Sequence, residues 1–161
     1  MDERHGITCE DCGAPLGGRV GCDRAFHELG ARAMADPVFA YRRRAVVDAY
    51  CLQHPAYIAS LKSFAAHLCG LCAAVERAAD PRAARAVWSD LRIPPGSSKP
   101  VLQKMRSTLT LASVHEAATA DTFQAAVDAW IAAVWSDWSA HHELARTWLD
   151  HSIANEGRPR R

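Results

Sequence analysis

A proline directly after His54 sets the organisation of this chain. The stretch Asp48-Ala49-Tyr50-Cys51-Leu52-Gln53-His54-Pro55 closes one apolar, helix-spaced run and opens another. Proline lacks the N–H that would continue the hydrogen-bond ladder behind it, yet it fits the first turn of a helix that follows. Gln53 and His54 fall at the junction, where a side chain reaches out of a helix stack. The remaining apolar runs carry the helical period rather than the alternation of a strand. The expected fold is therefore all-α, a compact helical bundle of five to seven helices folded about this junction.

The spacing predicts a first helix over residues 23–35, with Phe26, Leu29, Ala33 and Met34 inward. Asp36-Pro37 caps and starts a second helix, with Val38, Tyr41, Ala45 and Leu52 on one face and Val47, Tyr50 and His54 on its neighbour. Pro55 opens a third, to about residue 79, striped by Tyr57, Leu61, Phe64, Leu68, Cys72 and Val75. Asp80-Pro81 repeats the signal for a short fourth helix ending near Leu91. Residues 92–110, rich in proline around Gly96, read as a long loop, either a surface excursion or a flap over a pocket. A short helix over 113–119 takes Ser113 as its cap, with His115 in its first turn. Asp121 caps the longest helix, to about Asn155, whose stripe Val127, Trp130, Val134, Trp138, His141, Ala145 and Trp148 has the most to bury. At 161 residues the chain suits one domain: a clip over 7–22, the bundle over 23–155 and a frayed tail over 156–161.

The clip is where chemistry is concentrated. Cys9-Glu10-Asp11-Cys12-Gly13 has the form of a zinc knuckle. Two thiolates three apart on a tight turn share one ion, and the glycine after the second accepts the turn's positive φ. Cys22 is the natural third ligand, and a place just before a helix would lower its pKa toward the thiolate. A second pair, Cys69 and Cys72, lies within the apolar stripe of the third helix, where cysteine behaves as a small hydrophobe.

Charge and composition narrow the partners. A formal net charge of +1 and 49% hydrophobic residues describe an ordinary globular chain, without the field that draws in nucleic acid or an anionic membrane. The runs Arg42-Arg43-Arg44 and Arg158-Pro159-Arg160-Arg161 read as a solvated helix face and a tail. Met1 to His5 lacks the apolar core of a signal peptide, and no apolar run approaches the roughly 20 residues that span a bilayer. The expected location is the cytoplasm, where the six cysteines serve as metal ligands or buried thiols rather than disulfides.

His54, His67, His115, His141 and His142 are spread over several of the expected helices. Imidazoles converging inside a bundle make a divalent metal site. Taken in order, Cys9-x-x-Cys12-Gly13-Ala14, Gly21-Cys22, Asp48-Ala49-Tyr50-x-x-Gln53-His54-Pro55, His67-Leu68-x-x-Leu71-Cys72, Trp135-x-x-Trp138 and His141-His142-x-x-x-Arg146-x-Trp148-Leu149 resemble an uncharacterised family of small bacterial proteins. The resemblance covers nearly the whole chain. It implies that Cys9, Cys12 and Cys22 belong together and that His54, His67, His141 and His142 are family features. Arg43 stands where the family pattern has a histidine, seven residues before Tyr50. No activity comes with the resemblance.

Three functions follow. In the first, the chain is a zinc-binding helical bundle in which Cys9, Cys12, Cys22 and a histidine close a structural Zn2+ site. His54 is the preferred fourth ligand, and His27 is nearer in sequence. Gln53 then orients the imidazole or donates to a thiolate. In the second, the chain is a metal-dependent enzyme acting on a small molecule, with His67, His141 and His142 lining a pocket and Arg146 binding an anionic group. In the third, it is a non-catalytic partner-binding module. Trp130, Trp135, Trp138 and Trp148 occupy more than one side of the last helix, leaving a face for a partner helix or a homodimer.

Overall fold

The computed structural model describes residues 6–35, 42–89, 91–102, 107–117 and 119–159, and among these there is helix, turn and loop but no strand. Before the first helix the chain folds back on itself. Cys9 N donates to Ala14 O at 2.8 Å and Gly13 N to Cys9 O at 2.8 Å, while Gly17 N and Gly18 N both donate to Ile7 O. Gly13 turns this loop at φ +81, a conformation that costs glycine nothing.

Helix α1 is Gly18–Ala35, so it begins five residues before the expected 23 and takes Cys22 into its second turn. Gly21 permits this early start: a Cβ there would lie 1.6 Å from Leu16 O, so the helix packs directly on the clip backbone. The expected start of the second helix at Asp36-Pro37, with Val38 and Tyr41, lies outside the described residues. Within them, α2 is Arg43–Leu52, burying Ala45, Asp48, Ala49, Tyr50, Cys51 and Leu52.

At the junction His54 is extended, at φ -130 and ψ 101. Pro55 opens only a 3-10 turn, Pro55–Ile58, and not the long third helix expected from it. The helix proper, α3, is Leu61–Glu76, because Ser60 supplies a better start: its Oγ accepts from Ser63 N at 3.1 Å. Phe64, Leu68 and Cys72 are buried as the stripe requires, whereas Tyr57 and Val75 at its ends are exposed. Helix α4 is Pro81–Ser89, where Asp80-Pro81 placed it.

The later elements depart further from expectation. Helix α5 is Leu111–His115, capped by Thr110 rather than Ser113, with His115 in its last turn. Helix α6 is Ala120–Asp137, and its cap is Thr119, not Asp121; Thr119 and Thr122 satisfy each other's backbone N–H groups. The expected 121–155 helix breaks at Trp138. A 3-10 turn, Ser139–His141, leads into α7, His142–Ala154. As a result the expected longest helix is divided into α6, which at 18 residues only equals α1, and α7 of 13 residues. Two contacts hold the break. His142 Nε2 bonds the Trp135 carbonyl at 2.7 Å, and Asp137 accepts from Thr108 N and Oγ1 at 3.0 and 2.6 Å. Past the break α7 packs on α3 and α4, while α6 packs on α2, α3 and α5.

The core is one cluster running from Cys9 and Cys12 in the clip to Leu149 in α7. Trp130, Trp135, Trp138 and Trp148 are all buried in it, so the tryptophan face expected to meet a partner is turned inward. Such large side chains contribute about 1.5–3 kcal/mol each on full burial. No described helix is long and apolar enough to cross a membrane.

Candidate metal centre

The clip delivers Cys9 and Cys12, α1 delivers Cys22, and the α2 junction delivers His54. Their Sγ and imidazole nitrogen atoms all lie within 4.8 Å of one another. All four residues are buried, at 2%, 4%, 0% and 0% exposure. Four donors from two segments more than thirty residues apart do not gather in a dry interior without a reason.

The spacing can be tested against a tetrahedral ion. Bonds of about 2.3 Å to sulfur and 2.0–2.1 Å to imidazole nitrogen separate the ligand atoms by roughly 3.8 Å (S–S) and 3.6 Å (S–N). In the structure Cys12 Sγ and Cys22 Sγ are 3.7 Å apart. His54 Nε2 lies 3.5 Å from Cys22 Sγ and 3.7 Å from Cys9 Sγ. These three separations match edges of one tetrahedron and the others lie within 4.8 Å, and three sulfurs with one nitrogen is a borderline-soft donor set.

The surroundings prepare the donors. His54 Nδ1 bonds the Tyr50 carbonyl at 2.7 Å, which fixes the tautomer with the Nε2 lone pair facing the thiols. That carbonyl belongs to the last turn of α2, where it also accepts from Gln53 N at 3.2 Å. The Tyr50 ring lies 4.0 Å from the His54 ring, and Phe26 stacks on its other side at 4.0 Å. The Tyr50 hydroxyl donates to Asp23, and Arg19 bridges Asp23 to Asp11 in the clip. Backbone N–H groups of Asp11 and Cys12 face Cys9 Sγ, and that of Ala14 faces Cys12 Sγ.

These contacts decide which thiol ionises first. The hydrogen bond from Cys22 carries Cys12 down to about 4, against the cost of burial and with help from His54. Donating that hydrogen bond pushes Cys22 up, and burial pushes Cys9 up. The low pKa expected of Cys22 therefore falls to Cys12, which accepts the hydrogen bond between them. A bound cation displaces the remaining thiol protons, so metal binding here releases protons.

The other candidates stand apart from this cluster. Cys51, Cys69 and Cys72 are buried and unpaired, and burial drives Cys51 to about 12 and Cys72 to about 11. His67 Nδ1 bonds Asp48 at 2.8 Å at the α2–α3 crossing, where Arg44 also holds that carboxylate. His142 stacks on Trp135 at 3.9 Å. Arg146 gives Glu76 two hydrogen bonds, at 2.7 and 2.8 Å, and Trp135 Nε1 adds a third at 3.1 Å. His141 sits against Phe64 and Trp138, where burial lowers its pKa. Among the described residues no second group of three or more metal-binding side chains gathers.

Two roles were not visible in the sequence. Gln53 serves the bundle and not the metal: its Nε2 donates to Leu109 O at 2.7 Å and its Oε1 accepts from Trp130 Nε1 at 3.0 Å. The Tyr50 carbonyl is the element that orients His54, and the four-residue spacing across the end of α2 is the signal that could have found it. The 92–110 loop does wall a space: Lys99, Pro100, Val101 and Ser107 line a cavity of about 590 Å3 that reaches Gln53 and Asp11, with no histidine among the described residues that line it.

A family model described as a family of unknown function, DUF5946, matches residues 7–139. The matched span holds all four candidate ligands and stops short of His141, His142 and Arg146. No curated protein and no solved structure matches the chain.

Proposed function

The chain belongs to that family of unknown function, which lends it no activity, and we propose a role from the site alone: a zinc-binding helical-bundle protein whose Cys9, Cys12, Cys22 and His54 hold one structural Zn2+. The observation that carries this reading is the gathering of those four donors at tetrahedral spacing. Three thiolates and one imidazole fill the coordination shell and leave no open position for a reacting water or substrate. The ion supplies a cross-link where a disulfide would otherwise be needed. It ties the glycine-rich clip to the junction behind α2 and lets a short segment with little apolar surface stay folded. Six unpaired cysteines agree with a reducing compartment, the cytoplasm in this reading.

Metal analysis of the purified protein tests this directly, with about one zinc per chain expected. Cys12→Ser loses the ion and lowers the melting temperature by roughly 10 °C or more, because structural zinc carries much of the folding energy of the segment it closes. Cys51→Ser, at a buried cysteine outside the cluster, keeps the ion. Cobalt substitution then identifies the fourth ligand: the spectrum of a three-thiolate, one-imidazole site changes in His54→Ala. Stoichiometric zinc in Cys12→Ser, or an unchanged cobalt spectrum in His54→Ala, contradicts the assignment.

A further inference from the structure

Helix α1 carries a notch. Phe26, Gly30 and Met34 follow one another at four-residue intervals along one of its faces, with His27 beside them, and Gly30 is the member of that row without a side chain. A Cβ at Gly30 would meet nothing within 4 Å, so the space over that turn is open. Arg43, Val46 and Val47 form a matching row on α2. The two rows, with Leu29 and with Phe123 from α6, line a recess of about 360 Å3. That volume lies within the roughly 300–1,000 Å3 of small-molecule sites. The gap fits the packing of α2, which lies far more heavily on α3 than on α1.

Apart from His27 and Arg43 the described lining is apolar, and it includes no carboxylate. Arg43 is exposed and donates to the Met34 sulfur. A thioether is a weak acceptor, whereas a carboxylate makes charge-assisted bonds to a guanidinium, often two at once. Arg43 can therefore exchange Met34 for an acidic ligand without breaking an ion pair to a described residue. Met34 is 72% exposed and unbranched, so it repacks readily against whatever enters. Glycine in a helix interior is destabilising relative to alanine, and no neighbouring atom demands it at position 30. What its missing side chain leaves is the open space of the recess.

We propose that the recess between α1 and α2 binds a small carboxylic acid with an apolar tail. Its carboxylate is held by Arg43, and its tail lies over Gly30, against Phe26, Val46 and Val47. One guanidinium matches the two oxygens of one carboxylate. The apolar walls suit a tail of a few methylenes and disfavour a multiply charged group such as a phosphate ester, whose extra charge would be buried unpaired. The site does not depend on the metal reading, since none of Cys9, Cys12, Cys22 and His54 lines it.

Octanoate, kept below its micelle concentration, is the probe, titrated into the full-length, metal-loaded protein and followed by calorimetry. One saturable site per chain is expected, with affinity rising about fourfold for each methylene from hexanoate to octanoate. Arg43→Gln weakens octanoate roughly tenfold or more, as loss of a charge-assisted contact should. Octan-1-ol, which has the tail without the charge, binds the parent protein more weakly by a similar factor. Gly30→Leu fills the notch and weakens octanoate at least about tenfold while leaving Arg43 in place. Both substituted residues are exposed, and retained metal and circular dichroism verify that the variants fold. Absence of saturable binding at millimolar octanoate, or unchanged affinity in either variant, overturns the assignment. So does octan-1-ol binding as tightly as octanoate, or several weak sites in place of one.

Discussion

Glu76 accepts from both Arg146 and Trp135 and so joins α3, α6 and α7 through one carboxylate. The hydrogen bond from Arg146 is the largest cause holding its carboxyl below the usual carboxylate range, and burial opposes it. A depressed folded-state pKa adds stability that is present above the unfolded value of about 4.3 and is lost as the pH falls through the folded one. Glu76→Gln is therefore less stable than the parent at pH 7, and the gap closes as the pH falls below about 4. Denaturant unfolding at a series of pH values measures this, and a gap that stays constant to pH 3 contradicts it. At this scale the sequence was most legible where a residue type and its spacing carry the chemistry. Cys9, Cys12 and Cys22 declare themselves by spacing, and His54 by the proline after it. Gln53 could not be read the same way, since an amide bonds whatever the fold brings near, here Leu109 and Trp130.

Helices α2 and α3 cross at Gly70, where a Cβ would stand 2.0 Å from Asp48 Oδ2. That carboxylate cannot move aside, because Arg44 and His67 both hold it. Gly70→Ala should cost about 1–3 kcal/mol by overpacking. Gly30 on α1 meets nothing within 4 Å and lies in an exposed helix interior. Gly30→Ala should add about 0.5–1 kcal/mol by relieving the entropic cost of glycine in a helix. Thermal melts of the two variants are expected to move in opposite directions. Helical periodicity placed the elements themselves, including α4 at Asp80-Pro81. It could not place the break at Trp138, because the apolar stripe runs on through it. What breaks the helix is distant in sequence or bends back on it: Thr108 on Asp137, and the His142 imidazole on the Trp135 carbonyl. The starts at Ser60, Thr110 and Thr119 follow side-chain caps that lie a few residues from the expected Pro55, Ser113 and Asp121.

On the scale of the molecule, the clip, the α2 junction and the bundle bury their apolar residues in one cluster that includes Cys9, Cys12 and Cys22, and His54 is buried against its Tyr50. The four candidate ligands are exposed by 4% or less, and Tyr50, stacked by Phe26, closes one side of the imidazole. Burial of this kind turns a question of affinity into one of rate. A chelator has no approach to the sulfurs while the clip is seated on α1 and α2, so removal of a bound ion waits for the clip to lift. Transfer of zinc to a chromogenic chelator should therefore reach a plateau rate as chelator is raised, set by local opening. Gly21→Ala, which forces a Cβ toward Leu16 O where the clip meets α1, should raise that plateau severalfold without changing the ligands. A transfer rate that climbs in proportion to chelator would mean the ion is reached directly. With a plateau, the lifetime of the ion on the protein measures how often the clip lets go of the rest.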